Sequence, residues 1–296
     1  MTGTARFAPS PTGLLHLGHA YSAFRVAEQA DGGNFLLRMD DLDRSRCKEA
    51  FVDAIREDLA WLGCHPNRVT RSSNNSTDQQ EAVSRLQGLG VLYPCFCTRS
   101  DIQREIERSG SAPQGPEGPI YPGSCRAISR VEATQRQADG ASFALRLNVA
   151  TATQLARTPL QWSEAVDGLK QAAPHLLGDV VVVRKGRVDQ PGDIAYHLGV
   201  VVDDHVEGVT CVVRGRDLFD STHIHVLLQS LLGYSTPQYL HHPLVVDEAG
   251  KRLAKRDDAR AIATYRAGGL SPEDVRRLAY RSLEPPKQLP SCEVDD

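Results

Sequence analysis

The chain has 296 residues, 41% of them hydrophobic and 24% charged, which suits one large globular domain with a smaller insertion. No apolar run approaches the ~20 residues of a membrane span, and Met1 to Arg6 lacks the basic and apolar regions of a secretory signal. A cytoplasmic chain with no membrane partner is therefore expected. The formal net charge of −3 neither announces nor excludes nucleic acid. Phosphate contacts need only a local basic patch, such as Lys251, Arg252, Lys255 and Arg256.

In chain order, Thr4 to Ala8 predicts a short strand that stops at a Pro-Ser-Pro-Thr-Gly turn. A helix then starts near His16 and carries Ala20, Phe24 and Ala27 on one face. Asn34 to Met39 reads as a strand. Arg46 to Leu62 reads as an amphipathic helix with Phe51, Ile55, Leu59 and Leu62 inward. Ser76 to Leu89 reads as a helix capped by Ser76 and ended by Gly88 and Gly90. This alternation predicts a parallel α/β sheet with ligands at the carboxyl ends of its strands, where the His16–His19 loop would lie. Residues 93–126 break the pattern with Cys95, Cys97, Cys125 and a Pro/Gly-rich loop at 110–123. Together with the less regular stretch that follows, they predict an inserted subdomain. The α/β pattern resumes with Val180 to Val183, Asp193 to Asp203, a strand at Val209 to Arg214 and a helix at Leu218 to Leu232. Pro243 to Val246 is strand-like. Ser271 to Ser282 predicts a last helix, with Pro272 in its first turn. The expected units are a nucleotide-binding domain at 1–92 and 180–257, an insertion at 93–179, a helical segment at 258–283 and a disordered tail at 284–296.

Several constellations could carry chemistry. The first strand feeds the first helix through Arg6-Phe7-Ala8-Pro9-Ser10 and His16-Leu17-Gly18-His19. Backbone N–H groups and a positive helix end suit an anion there. Gly18, without a Cβ, lets a flat ring or a phosphate come close, and His16 and His19 can donate to phosphate oxygens. The same residue types fit an ordinary strand–helix junction with two surface histidines. Cys95, Cys97 and Cys125 offer three thiolates, the soft donors zinc prefers, with Tyr121 one short turn away. Three thiols buried as small hydrophobes are the other reading, since seven cysteines in a cytoplasmic chain are not expected as disulfides. Gly250 to Arg256 suits a loop over polyphosphate, in which a lysine follows developing charge, or a solvated basic loop. Asp40, Asp41 and Asp43 can meet an ammonium or ribose hydroxyls, or cap the helix that follows. A buried arginine such as Arg214, with Tyr196 nearby, is the usual clamp for a carboxylate. His223 and His225 are set aside as a metal pair, because residues two apart on a helix face different ways. Asp203-Asp204-His205 and His241-His242 read as turn and edge residues.

Taken in order, these segments resemble the class I aminoacyl-tRNA synthetases of the glutamyl subgroup. Arg6 to Gly13 matches the subgroup's opening signature and His16-Leu17-Gly18-His19 its HIGH motif. Leu37-Arg38-Met39-Asp40-Asp41-Leu42-Asp43 resembles its L-R-x-E-D-x-D segment, and Arg252-Leu253-Ala254-Lys255-Arg256 sits at its KMSKS loop. Val201 to His205 and Val213 to Leu218 match it as well. Only Asp257 to Asp296 follow, too little for an anticodon-binding domain. With the C-x-C and Y-x-x-x-C site, the chain is similar to the short glutamyl-Q tRNA(Asp) synthetases.

The resemblance implies a Rossmann-like α/β catalytic domain with a parallel sheet, an inserted zinc-containing subdomain and no anticodon-binding domain. It implies a monomer that activates L-glutamate with ATP and Mg²⁺, without tRNA, and then attaches it to the queuosine base in the anticodon of tRNA(Asp). Arg6, Phe7, Ala8, Pro9 and Ser10 would line the glutamate pocket, with Arg6 near a carboxylate. Asp40 would face the amino group, and Tyr196 and Arg214 would complete the pocket. Pro9, His16, Gly18, His19 and Lys255 would hold ATP. Lys255, His16 and His19 would be the catalytic set, Lys255 stabilising the α-phosphate. Cys95, Cys97, Tyr121 and Cys125 would hold one structural zinc. Three departures stand out. Asp40 replaces the family's Glu, and Arg252 and Ala254 replace the loop's first lysine and its serine. A tyrosinate is an unusual zinc ligand, for which water is the alternative. The rival readings are a truncated glutamyl-tRNA synthetase charging a 3′ end and a zinc-containing RNA-binding protein with a decayed site.

Overall fold

The segment Phe35-Leu36-Leu37-Arg38-Met39 has no polar face, as expected of a strand covered on both sides. It forms the interior of such a sheet. The structure is a computed structural model, and it describes residues 3–30, 33–108, 114–116, 118–157, 159–246 and 260–283. The first third contains β1 (Thr4–Phe7), α1 (Leu17–Gln29), β2 (Asn34–Met39), α2 (Glu49–Trp61), β3 (Arg68–Arg71) and α3 (Ser76–Gly88). The middle contains β4 (Leu92–Cys95), α4 (Arg99–Arg108), β5 (Gln114–Gly115), β6 (Gly118–Pro119), α5 (Arg130–Ala138), β7 (Phe143–Leu147), α6 (Val149–Leu155), β8 (Gln161–Glu164) and β9 (Gly168–Gln171). Then follow β10 (Val181–Gly186), α7 (Tyr196–Val206), β11 (Cys211–Gly215), α8 (Ser221–Leu232), β12 (Gln238–His242), α9 (Ile262–Ala267) and α10 (Pro272–Arg281).

Seven strands form the main sheet in the order β3-β2-β1-β11-β12-β8-β9. Every pair is parallel except the β8–β9 hairpin. The chain leaves β1 towards β2 on one side, and β11 closes on its other side, so strand order reverses at β1. In such sheets the ligand crevice opens at the carboxyl ends beside that reversal. Side chains alternate between two cores, as strand geometry requires. Phe35, Leu37, Val213 and Leu240 pack with α1, α2 and α10 through Phe24, Ile55, Leu59 and Val275. Leu36, Val212 and Tyr239 pack with α7 and α8 through Leu198, Val202, Ile224 and Leu228. A separate three-stranded antiparallel sheet has the order β10-β7-β4. Among the described residues no helix is long and apolar enough to cross a membrane.

The structure departs from the sequence expectations in several places. Val181–Gly186, expected to resume the parallel sheet, pairs antiparallel with β7. The β8–β9 hairpin, expected inside the insertion, extends the main sheet beside β12. Sheet membership therefore does not follow the 93–179 boundary. Ser76 is not a cap: a 3-10 turn at Ser72–Asn75 leads directly into α3. Gly90 does close that end, with φ of 70° in the region that favours glycine. Val52 rather than Phe51 is buried on α2. The last parallel strand ends at His242, and Val245 makes only an isolated bridge to Leu283. Asp203 and Asp204 are buried in α7, and His241 and His242 are buried in β12, so none of the four is a turn or edge residue. The tail at 284–296 and the basic segment with Lys251, Arg252, Lys255 and Arg256 lie outside the described residues.

Candidate active site

A cleft of about 450 Å³ opens at the carboxyl ends of β1, β2 and β11. Arg6, Phe7, Ala8, Pro9, Ser10, His19, Asp40, Tyr196 and Arg214 all line it. Arg38 and Asp203 line it too, and neither was singled out for the pocket from sequence. His16 and Gly18 lie just behind, at the start of α1. His16 is the N-cap, and its Nδ1 accepts the Gly18 N–H at 3.1 Å. His19 Nδ1 in turn accepts the His16 N–H at 3.2 Å. Two orphan amides of the first turn are thereby satisfied. With Nδ1 accepting on both neutral rings, the ring proton of each is on Nε2. A Cβ at Gly18 would come within 3.0 Å of the His16 ring. The neighbouring imidazole itself thus favours glycine, since it would have to shift by a few tenths of an ångström to admit a side chain. Ile262 N donates to Leu15 O at 2.9 Å, and Ala261 bridges His16. Residues 261 and 262 therefore lie beside the helix start.

The arginines of the cleft differ in their compensation. Arg6 is committed: its Nε and NH2 donate to Asp204 at 3.1 and 3.3 Å, and NH1 donates to Val213 O. Arg38 donates to Asp204 at 2.6 Å and Glu207 at 2.7 Å, and lies 3.7 Å from Asp203. Burial raises the Asp204 carboxyl, but the two guanidinium groups outweigh it and hold the pKa below the usual carboxylate range. Burial wins at Asp203, whose pKa is pushed up to about 6. Arg214 has no such partner. It is 5% exposed, and donates to His241 Nε2 (3.0 Å), Tyr196 Oη (3.2 Å), His225 Nδ1 (3.1 Å) and Thr222 Oγ1 (2.6 Å). Burial keeps His225 and His241 below the ordinary imidazole pKa. All four partners are therefore neutral. A buried guanidinium without a carboxylate is costly, and this one faces an open cleft. Across the cleft Ser10 Oγ donates to Asp40 Oδ2 at 2.9 Å. That bond fixes the Asp40 carboxylate and leaves Oδ1 without a partner among the described residues.

A second cluster sits where β4 ends. Cys95, Cys97 and Cys125 place their sulfurs within 4.8 Å of one another. Tyr121 Oη lies 3.5 Å from Cys95 Sγ and 3.6 Å from Cys97 Sγ, and accepts the Cys125 N–H at 2.9 Å. Burial raises the Cys97 thiol to about 11. At Cys125 burial also raises the pKa, but hydrogen bonds from Tyr121, the Phe96 amide and Cys97 overcome it. Three sulfurs lie close enough together to hold a thiophilic divalent cation, with a phenol oxygen beside them.

The tRNA synthetases class I (E and Q) catalytic-domain family matches residues 4–290. The chain belongs to this family. Relatives named glutamyl-Q tRNA(Asp) synthetase lie close to it. That of Rhodobacter capsulatus is 45% identical over 288 residues, covering 92% of this chain and 98% of the relative. That of Symbiobacterium thermophilum is 39% identical over 94% of this chain and 85% of its own. A glutamate–tRNA ligase 2 of Mesorhizobium japonicum is 35% identical over 94% of this chain, but only 61% of its own length is matched. The crystal structure of a glutamate-tRNA synthetase from Elizabethkingia anophelis superposes with a TM-score of 0.76 at 25% identity. The superposition covers 93% of this chain and 61% of that one. The fold is accordingly a class I synthetase catalytic domain with a mostly parallel sheet and a cysteine cluster able to hold a metal.

Sequence reasoning assembled most of the cleft lining and missed what stands behind it. Of the residues that surround Arg214 directly or at one remove, Glu164 and Thr222 were not identified, His225 was set aside as half of a metal pair, and His241 was read as a turn or edge residue. Asp204, which neutralises Arg6, stood in a quoted motif but was read as a turn. No local pattern marks Glu164, because its partner is 77 residues away.

Proposed function

We propose that this synthetase activates L-glutamate with ATP, without tRNA, and transfers it to the queuosine base in the anticodon of tRNA(Asp). The observation that carries the reading is Arg214: a buried guanidinium with only neutral partners on the cleft wall calls for an anionic ligand. Arg214 takes a glutamate carboxylate, Tyr196 orients both, and Asp40 Oδ1 receives the ammonium. Arg6, charge-balanced by Asp204, shapes the pocket, and two of its five N–H groups remain beyond its three acceptors among the described residues. Phe7, Ala8 and Pro9 supply the wall. His16 and His19 offer Nε2–H donors to ATP phosphates at the N-terminus of α1. In the first step a carboxylate oxygen of glutamate attacks the α-phosphorus, the bond to the bridging oxygen breaks, and pyrophosphate leaves. Lys255 stabilises the charge that builds on the α-phosphate, a charge that Mg²⁺ would help to neutralise when bound with ATP. A queuosine hydroxyl then attacks the glutamyl carbonyl and releases AMP.

The choice of acceptor is supported by the relatives. Those named glutamyl-Q tRNA(Asp) synthetase are matched along 98% and 85% of their length, whereas a relative named glutamate–tRNA ligase is matched along 61%. Cys95, Cys97, Tyr121 and Cys125 would hold a single structural zinc, which with four protein ligands would be closed to substrate. A tRNA acceptor fits a cytoplasmic enzyme, and the chain is taken to act as a monomer.

One assay series tests the reading. Glutamate-dependent ATP–pyrophosphate exchange is expected without tRNA, followed by transfer of glutamate to tRNA(Asp) that carries queuosine and not to the unmodified tRNA. Equal transfer to both tRNAs, or charging of a tRNA 3′ end, would overturn the choice of acceptor. No exchange at all would overturn glutamate activation.

A further inference from the structure

The Nε–H of Arg214 points at His241 Nε2 at 3.0 Å. A guanidinium only donates, so Nε2 must present a lone pair and the ring proton must sit on Nδ1. Nδ1 lies 2.6 Å from Glu164 Oε2, and Glu164 Oε1 accepts the His241 backbone N–H at 3.0 Å. The carboxylate therefore selects the tautomer, and the backbone amide fixes the carboxylate. Glu164, His241 and Arg214 are 3%, 4% and 5% exposed, so water does not compete for these bonds. They stand on three adjacent parallel strands: Arg214 pairs across β11–β12 with His241, and Glu164 across β8–β12 with Tyr239. The β8–β9 hairpin thus brings a buried carboxylate two strands from the cleft.

We propose that Glu164 is a positioning residue for the amino-acid subsite, acting through His241 to fix the plane of the Arg214 guanidinium. The inference rests on reading the cleft as a glutamate pocket. Arg214 has five N–H groups and four protein acceptors, so one N–H remains for a carboxylate. Its direction is set only while the Nε–H bond pins the fork. Glu164→Gln keeps the shape and removes the selection. A glutamine amide offers one oxygen where the carboxylate offers two. Either its NH2 faces Nδ1 and drives the ring proton to Nε2, against Arg214 Nε–H, or it opposes the backbone N–H. Both outcomes place two donors face to face.

The test measures KM for glutamate and for ATP in tRNA-free pyrophosphate exchange with the full chain. Glu164→Gln is expected to raise the glutamate KM about tenfold, the worth of one misdirected hydrogen bond to a charged group, and to leave the ATP KM within about twofold. His241→Phe preserves the ring stack on Tyr239, which is parallel to within 2°, and removes both nitrogens. It should reproduce the same one-sided change, and it decides the matter should Glu164→Gln fold poorly. An unmoved glutamate KM in the folded variant overturns the inference, as does a parallel rise in both KM values, which would mark a purely structural pair. Absence of exchange in the unaltered chain instead sinks the glutamate reading of the cleft, and this inference falls with it.

Discussion

Two arginines that share one cleft are held in opposite ways, and their difference separates stability from activity. Arg6 is locked against Asp204 inside the α7 side of the sheet, whereas Arg214 is surrounded by imidazoles, a phenol and a hydroxyl. Removing Arg6 leaves Asp204 with only Arg38 to balance it, so Arg6→Met should destabilise by about 3 kcal/mol. Arg214→Met removes a desolvated cation that no carboxylate touches directly, Glu164 standing one imidazole away. It should cost less stability than Arg6→Met, while glutamate activation falls at least ~100-fold. Calorimetry and pyrophosphate exchange on the two variants check this. A loss of Tm in Arg214→Met as large as in Arg6→Met would show that the guanidinium serves the fold rather than a ligand. The sequence made the two look alike, since each is an arginine at the carboxyl end of a predicted strand. Only α7, folded beneath β1 and β2, tells them apart.

At the scale of elements, α7 brings Asp203, Asp204 and Glu207 beneath the arginines of β1 and β2. Three carboxylates face the two guanidinium groups of Arg6 and Arg38, so one proton balances the group. Asp203 is the acid that takes it, with its pKa raised by burial to about 6. A raised folded pKa means that the folded state holds the proton more tightly than the unfolded chain. The stabilisation is complete below the unfolded value of 3.8 and is lost as pH rises through about 6. Asp203→Asn should therefore gain stability relative to the parent between pH 4 and 7, by roughly 2 kcal/mol. Denaturant titrations of both proteins across that range check it, and parallel stability curves would refute the assignment. What was legible in sequence follows the same scale. The mostly apolar β2 and the His16 helix start were readable because their causes are local. Val180 to Val183 was read as resuming the parallel sheet and Gln161–Glu164 lay in a stretch ascribed to the insertion, because a short strand does not carry the identity of its partner. The β8–β12 pairing rests on the Tyr239–Glu164 register, with 74 residues of chain between.

Across the whole molecule, the cysteine cluster and the cleft share no residue, since none of Cys95, Cys97, Tyr121 or Cys125 lines the cleft. What joins them is polar. Asp179 accepts from Tyr93, Arg126 and the Val149 amide, tying β4 and the cysteine loop to α6. Arg184 on β10 donates to Asp43 at 2.9 Å, in the loop that follows Asp40. Lys185 caps Phe96 O at 2.6 Å, between Cys95 and Cys97. Local loss of the cluster should thus loosen β4, the Tyr121–Cys125 turn and the surface they carry, while the main sheet keeps its own cores. Metal removal by a chelator, or Cys97→Ser, is accordingly expected to abolish bound zinc. Glutamate-dependent exchange should stay within about twofold, and transfer to tRNA should fall about tenfold or more, because binding energy at a structural zinc is folding energy for the segment that holds it. Metal analysis, exchange and transfer on the same preparation separate these effects. Exchange falling in step with transfer would mean that the Arg184–Asp43 link carries the disturbance into the cleft. Unchanged zinc content in Cys97→Ser would instead remove this cluster as the metal site.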